Sequence, residues 1–445
     1  MRVALMGCTP DTVFLVKGIA QAAAGLGISR LTVCSPDEES LAVFSRLAVK
    51  LASLQGGKLQ VRTVTNRVEA LLGADLVLAD LPGPDPREAL VLAETARRSS
   101  LPVWQGVGAF GFAEALRAAP SFLRLCELTE RYAADGAKVL SLTKPAGVLL
   151  QAAVFAGYGF AYGLPVLYEE AAERAAALSG AGRESLALQG FGTPELGVLT
   201  SVGAGEQALL PGLFAGEKAK QDALLGVFPE GLWARRGELP TPSFLPYLLR
   251  ETCAGVRPQQ SLPVKTAEAA AQCLKSAAAI EPGRAARGLL QPFCAYLRRQ
   301  DKLSFLQQGT RIAMQADPFT PALPPAAAVA LRAIAAIQGE TARPLLLAGP
   351  CGETIPGFEP DTVAVCPHAV SKTRVTPLGT PLPSPDTFET LRREFYCQRR
   401  LGAALAKGDR AGAAEALAMH PLVQSYETAF RFAEACENLA FPELI

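Results

Sequence analysis

Residues Arg2-Val3-Ala4-Leu5-Met6-Gly7-Cys8-Thr9-Pro10-Asp11-Thr12-Val13-Phe14-Leu15-Val16-Lys17-Gly18 decide the fold. Val3 to Met6 is a compact apolar run that reads as a buried strand, and Gly7 to Asp11 reads as a turn. Val13, Val16, Lys17 and Ile19 then begin a helical spacing. Thr9, Pro10 and Asp11 supply a capping residue, a fixed φ and a first-turn acid, all of which favour a helix start. Ser29 to Cys34 is the next apolar strand, reached after a crossover of suitable length, so the first segment is a βαβ unit.

Outward from this unit the alternation continues. Helical spacing covers Glu38 to Ser53, Gln60 to Val64 is a short β-branched strand, and Arg67 to Leu72 is a brief helix. Leu76 to Ala79 is a fully apolar strand, Glu88 to Arg98 helical, Pro102-Val103-Trp104 extended, Phe112 to Ala133 a long helix and Lys138 to Leu142 a further strand. The fold class expected is α/β, a Rossmann-like parallel sheet with helices on both faces, followed by a mainly helical α+β second lobe. The division expected is 1–168 for a dinucleotide-binding-type domain and 169–445 for a substrate and oligomerisation domain. In the second part, alanine-rich helices such as Lys265 to Ile280 and Pro324 to Ile337 alternate with connections such as Pro318 to Pro325 and Pro377 to Pro385. Asp361 to Cys366 reads as a strand, with closing helices at Asp386 to Ala406 and Asp409 to Ala418.

Composition narrows the function classes. Lys and Arg number 43 against 42 Asp and Glu, a net charge of +1, which recommends neither nucleic acid nor an acidic membrane surface as a partner. Apolar residues make up 49% and charged ones 19%, enough to bury a large core. The stretch Pro145 to Tyr168 carries no charge over 24 residues, a length that spans a bilayer of ~30 Å. Its glycines, Gln151 and two prolines instead indicate a buried helix followed by a buried strand. The 10 cysteines form no C-x-x-C pair, so a zinc ribbon has no support. Together with a first segment that lacks a signal-peptide core, this leads to a cytoplasmic expectation.

The turn after the first strand is where an open α/β sheet takes a nucleotide, because helix N-terminal amides face a phosphate there. The expected cofactor-facing residues are Gly7, Cys8, Thr9 and, at the end of the second strand, Ser35. The pattern G-x-G-x-x-G is absent and Cys34-Ser35-Pro36 stands where an acid would take ribose hydroxyls, with Asp37 just beyond. Nucleotide binding and a ligand-free turn both remain open. Cys8 stands out among the thiols, since a helix N-terminus lowers a thiol pKa, with Cys34 and Cys126 as inert buried thiols.

Val61 to Leu78, with Thr63, Arg67, Ala70, Leu71 and Gly73-Ala74-Asp75, resembles a segment of the family 4 glycoside hydrolases. Similar stretches run in the same order at Leu15 to Gly18, Asp37 to Leu41, Ala115 to Arg117, Thr143 to Gly147, Gly163-Leu164, Gly408-Asp409 and His420 to Val423. The resemblance implies NAD, a divalent metal (usually manganese) and a sugar or sugar-phosphate substrate cleaved by redox-assisted elimination rather than by two carboxylates. It also implies a homodimer or homotetramer.

Carried over residue by residue, the resemblance puts the family's metal-binding cysteine at Pro165 and its histidine at Gly190, next to Gln189 as a substrate contact. Neither Pro165 nor Gly190 has a side-chain ligand atom, so manganese is not expected and NAD stays possible. The substrate-contacting amide of the family corresponds to Lys144, where an ammonium could bind phosphate or carboxylate, form an ion pair or project into solvent. The helix start that carries the family's tyrosine and aspartate falls near Leu323 to Ala327, with neither residue type, and its glycine-rich acidic loop corresponds to Trp104 to Gly111, where Gln105 survives. His368 and His420 read as hydrogen-bonded or surface residues, and Arg235-Arg236 and Arg298-Arg299 as solvated faces. Three functions are compatible with these residues: a divergent glycosidase, a non-catalytic nucleotide- or sugar-binding relative, and a metal-free NAD(P)-linked oxidoreductase.

Overall fold

The structure of the protein is a computed structural model that describes residues 1–54, 59–281, 283–284, 286–308, 323–339 and 343–439. The connection expected at Pro318 to Pro325 lies outside the described residues up to residue 322. Strands β1 (Arg2–Met6), β2 (Arg30–Cys34), β3 (Gln60–Val64), β4 (Leu76–Ala79), β5 (Lys138–Ser141) and β6 (Ala161–Gly163) form a parallel core in the order β3-β2-β1-β4-β5-β6. Sequence strands of this kind are joined by helices, since parallel neighbours need a crossover. The expected α/β class with a Rossmann-like sheet is the observed one.

Period-2 alternation places the two halves of the core. Val3 and Leu5 of β1, with Leu31, Val33, Leu76 and Leu78, face the helices Thr12–Ala22 and Glu38–Leu54. Ala4, Met6, Val77, Ala79 and Val139 face the opposite side, against helices Gly108–Tyr132, Ala146–Phe155 and Val166–Ser179. Because both faces are covered, the strands read as continuous apolar runs rather than alternating ones.

The second part contributes more strand than its alanine-rich texture suggests. β7 (Leu186–Gly192), β8 (Gly197–Ala204), β9 (Gln207–Ala208), β10 (Leu239–Pro240), β11 (Leu345–Pro350), β12 (Val363–Val370) and β13 (Val375–Pro377) extend the sheet antiparallel beyond β6, in the order β6-β11-β12-β7-β8-β10. Glycines dilute the apolar signal of β7 and β8, which are held by pairing to each other. The run Pro102-Val103-Trp104 is buried but joins no strand, and Pro102 has no N–H to offer a ladder. The long helix after it begins at Gly108 rather than Phe112, and the helix expected near Leu323 to Ala327 begins at Pro325.

Pro145 to Tyr168 divides into the helix Ala146–Phe155, β6 and the start of the helix Val166–Ser179. Among the described residues no helix is long and apolar enough to cross a membrane. Gln151, fully buried on the first of these helices, donates to the Asp361 carbonyl (2.9 Å) and accepts from the Val363 amide (2.9 Å), tying the helix to β12. The helix Pro385–Lys407 crosses it closely at Gly402, where a Cβ would lie 2.8 Å from Gln151 Cγ. Helices Leu262–Ala278 and Ala286–Gln308 pack on helices Glu38–Leu54 and Pro86–Arg98, with Phe44 and Phe293 edge-on at 6.0 Å.

Candidate functional site

The turn after β1 is shaped by Gly7, whose φ is +116° and whose missing Cβ would meet the Asp80 carbonyl oxygen at 1.9 Å. Only glycine allows that approach, since β1 and β4 are neighbours and Asp80 ends β4's run. The side chain of Asp80 accepts from Thr9 Oγ1 (2.6 Å) and Thr12 Oγ1 (2.7 Å). Burial pushes the Asp80 carboxyl above its ordinary range, against the hydroxyls of Thr9 and Thr12 and the charge of Lys144. Asp11 is pushed up to about 6 by burial and by Asp80, and Tyr296 donates to it at 3.2 Å.

At this turn Cys8 is 7% exposed and Ser35 5%. Burial raises the Cys8 thiol well above its ordinary value despite a hydrogen bond with Ser35, so Cys8 is a packed turn residue and not an activated thiol. Desolvation of a thiolate outweighs the few partial charges of one helix end.

Lys144 follows β5 across the same cleft. Thr143 anchors this loop, accepting from the Leu81 amide at 3.0 Å. The exposed ammonium of Lys144 donates to Gln105 Oε1 at 3.0 Å. Glu114 accepts from the Gly106 amide at 2.8 Å and so closes the Gln105 turn; burial pushes its carboxyl to about 7, against that amide and Lys144. Glu170 is likewise raised by burial and lowered by Lys144. Lys144 is thus water-accessible yet acts on Asp11, Asp80, Glu114 and Glu170, which come from four different segments.

Beyond Lys144, the amide of Gly147 donates to both carboxyl oxygens of Glu195, at 3.3 and 3.2 Å. Pro145 caps the helix Ala146–Phe155 without a side-chain hydrogen bond, so the carboxyl of Glu195, from the turn between β7 and β8, supplies the acceptor at that helix start. Burial still dominates and carries its pKa to about 8. Further in, Tyr247 donates to Glu394 Oε2 at 2.6 Å, and Glu394 lies 3.1 Å from His420 Nε2. His420 Nδ1 accepts from the Leu422 amide (3.1 Å), and the Gly108 amide donates to Nε2 at 3.2 Å, the nitrogen that faces Glu394. Burial opposes the Glu394 charge, but His420 and Tyr247 outweigh it and hold the carboxyl below its usual range.

Gly190 does not open toward a cation position. A Cβ there would lie 3.0 Å from Tyr168 Cδ1, and the ring of Tyr168, 1% exposed, fills the space between β7 and the helix that Pro165 caps. The Tyr168 hydroxyl donates to the Thr193 carbonyl at 3.0 Å. Gln189 is half-buried beside a bulge in β7, and no hydrogen bond joins it to Lys144. Among the described residues no three His, Cys, Asp or Glu side chains converge to hold a metal ion. His368 is buried in β12, its Nδ1 2.8 Å from the Cys366 carbonyl oxygen. Arg236 is no solvated face: it lies 3.6 Å from Asp386 and over the Trp233 ring at 5.1 Å.

Sequence reasoning missed Asp80, Glu114, Glu195 and the Tyr247–Glu394–His420 chain. The available signals were an acid directly after the apolar run of β4, a single acid inside the apolar stretch Gly108 to Ala119, and Thr193-Pro194-Glu195 between two apolar strands.

No protein-family model and no curated protein matches the chain. Solved structures do. A 6-phospho-alpha-glucosidase from gut microorganisms, in complex with NAD and glucose-6-phosphate, superposes with a TM-score of 0.80 at 15% identity over 100% of both chains. The 6-phospho-beta glucosidase from Thermotoga maritima, with NAD and glucose-6-phosphate, gives 0.75 at 17% identity, again over 100% of both. The malate dehydrogenase from Aeropyrum pernix gives 0.51 at 11% identity over 89% of this chain and 97% of that one. The first two are family 4 glycoside hydrolases, so the resemblance read from the sequence holds at the level of fold. At these identities the likeness concerns the fold alone.

Proposed function

We propose that the chain is a divergent 6-phospho-glycosidase-like protein that binds a sugar phosphate in the cleft at Lys144 and does not cleave glycosides by the metal-dependent route. The observation that carries this reading is the packing of Tyr168 against Gly190, which fills with an aromatic ring the space that a ligand side chain at 190 would need. Pro165 offers no ligand atom, and the acids nearby are spent on amides and hydroxyls, so the residues do not fit a manganese ion. NAD stays a candidate cofactor at the turn of Gly7, supported by the two glucosidases crystallised with it. What remains is a cation with a hydrogen-bonding amide beside it, Lys144 and Gln105, in an accessible cleft.

Support for the ligand class comes from the two glucosidases above, crystallised with glucose-6-phosphate. Calorimetric titration with glucose 6-phosphate, with and without NAD and manganese, tests the reading. The expected result is binding that needs neither addition and is lost in Lys144→Ala, with no turnover of nitrophenyl 6-phosphoglycosides. Chelator-sensitive turnover overturns it. The same reading includes a homodimer or homotetramer through the second part, supported by exposed Tyr396, Tyr426 and Phe430 and decided by sedimentation velocity.

A further inference from the structure

A cavity of about 390 Å³ lies between the segment Arg236–Arg250 and the helix Pro385–Lys407, lined by Tyr247 but not by Glu394. Its volume lies in the range of small-molecule sites. Three guanidinium groups, Arg236, Arg250 and Arg393, line it with one carboxylate, Glu389, and Asp386 stands 3.6 Å from Arg236 outside the lining, so the cavity keeps a positive excess. Its floor is apolar and aromatic, made by Phe244, Tyr247 and Leu422.

The arginines are not equivalent. Arg236 is fixed in place by the Trp233 ring and by Thr387, to which it donates at 3.3 Å, and its side chain is 15% exposed. Arg393 is shared with Glu389, donating to it at 3.1 Å, while Arg250 is exposed and makes no ion pair with a described residue. One preset fork, one fork held by a displaceable carboxylate and one uncommitted fork can together surround a tetrahedral dianion, which guanidinium groups bind in pairs of parallel hydrogen bonds. Gln424, on the rim, holds φ at +51°, a conformation rare outside glycine that marks a backbone constrained by its surroundings.

We infer that this cavity binds a small phosphate monoester with an apolar organic part, which a sugar phosphate lacks, its phosphoryl group among Arg236, Arg250 and Arg393 and the apolar part on Phe244, Tyr247 and Leu422. The site is separate from Lys144: Glu394 and His420 do not line the cavity. The contact chain Tyr247–Glu394–His420 ends at Gly108, and neither Gly108, Gln105 nor Lys144 lines the cavity.

Phenyl phosphate and inorganic phosphate, titrated into the full chain and its variants by calorimetry, test the assignment. Phenyl phosphate binds more tightly than inorganic phosphate, and Lys144→Ala retains that binding. Arg250→Ala with Arg393→Ala weakens it tenfold or more. Glu389→Gln, which frees Arg393 and removes the competing carboxylate, tightens it. No heat at millimolar phenyl phosphate, an affinity unchanged in the double arginine variant, loss of binding in Lys144→Ala, or no gain in Glu389→Gln overturns the proposal. The Glu389→Gln gain cannot come from a misfolded chain, and loss of glucose 6-phosphate binding at Lys144 alone leaves this result standing.

Discussion

Gly147 donates its amide to both carboxyl oxygens of Glu195, at 3.3 and 3.2 Å, so an acid from the β7–β8 turn serves as the cap of a helix it is remote from in sequence. A Cβ at Gly147 would stand 2.9 Å from Glu195 Oε2 and 2.2 Å from Gln398 Oε1. The contact therefore needs glycine on one side and an acceptor on the other. Burial raises the Glu195 pKa from the ordinary 4.5 to about 8.

The first prediction follows from that shift. The folded chain holds the Glu195 proton more tightly than the unfolded one, so this residue's contribution is complete below pH 4.5 and is lost as pH rises toward about 8. Glu195→Gln keeps an acceptor for Gly147 and has no charge to bury. Urea denaturation across pH should show the variant equal to the parent or slightly weaker at pH 5, and more stable than it at pH 9.

Lys144→Met removes the cation that lowers Glu114, Asp80, Asp11 and Glu170. Glu114, at about 7 in the parent, should titrate higher in the variant, as read by carboxyl NMR. Affinity for glucose 6-phosphate should fall at least tenfold, about 1.4 kcal/mol. A carboxyl titration unchanged by the substitution would detach Lys144 from the acids around it.

Gly190→Ala puts a methyl group 3.0 Å from Tyr168 Cδ1 and 3.2 Å from the Val198 carbonyl oxygen. Both neighbours are buried, so the expected cost is about 1–3 kcal/mol, the range for overpacking a filled core. Manganese should raise the melting temperature of neither variant nor parent.

His420→Ala strips the partner from Glu394, whose side chain is 10% exposed. Removing one hydrogen-bond partner of a buried carboxylate that keeps Tyr247 costs about 1–3 kcal/mol, to be measured by urea denaturation. Glu394→Gln, which still accepts from Tyr247, should cost less. Equal losses in the two variants would mean that volume rather than charge decides the stability here.

The first lobe was legible because its signals are local. An apolar run as short as Leu76–Ala79 has one buried solution in a parallel sheet, and Gly7 announces the tight turn that follows β1. The strand-turn-helix around Gly7 was legible too. That the family's histidine position falls at Gly190 is a reading of residue order, which does not say what a strand packs against. A bulge between Gln189 and Gly190 shifts the register of β7, and the aromatic ring that meets Gly190 comes from the helix after β6. Arg236 read as solvent-facing because neither Asp386 nor its helix is near it in the chain.

By itself the amino-acid order determined which segments become strands and helices and that the first of them stack in parallel, because hydrophobic period and turn chemistry act over a few residues. Only the tertiary structure decided the site. Glu195 reaches Gly147, Tyr247 reaches Glu394, and Lys144 acts on acids from four segments only after the sheet has closed over both halves of the chain. Burial, the largest cause that raises Asp11, Asp80, Glu114, Glu170 and Glu195, is a property of the packed whole and of no stretch within it.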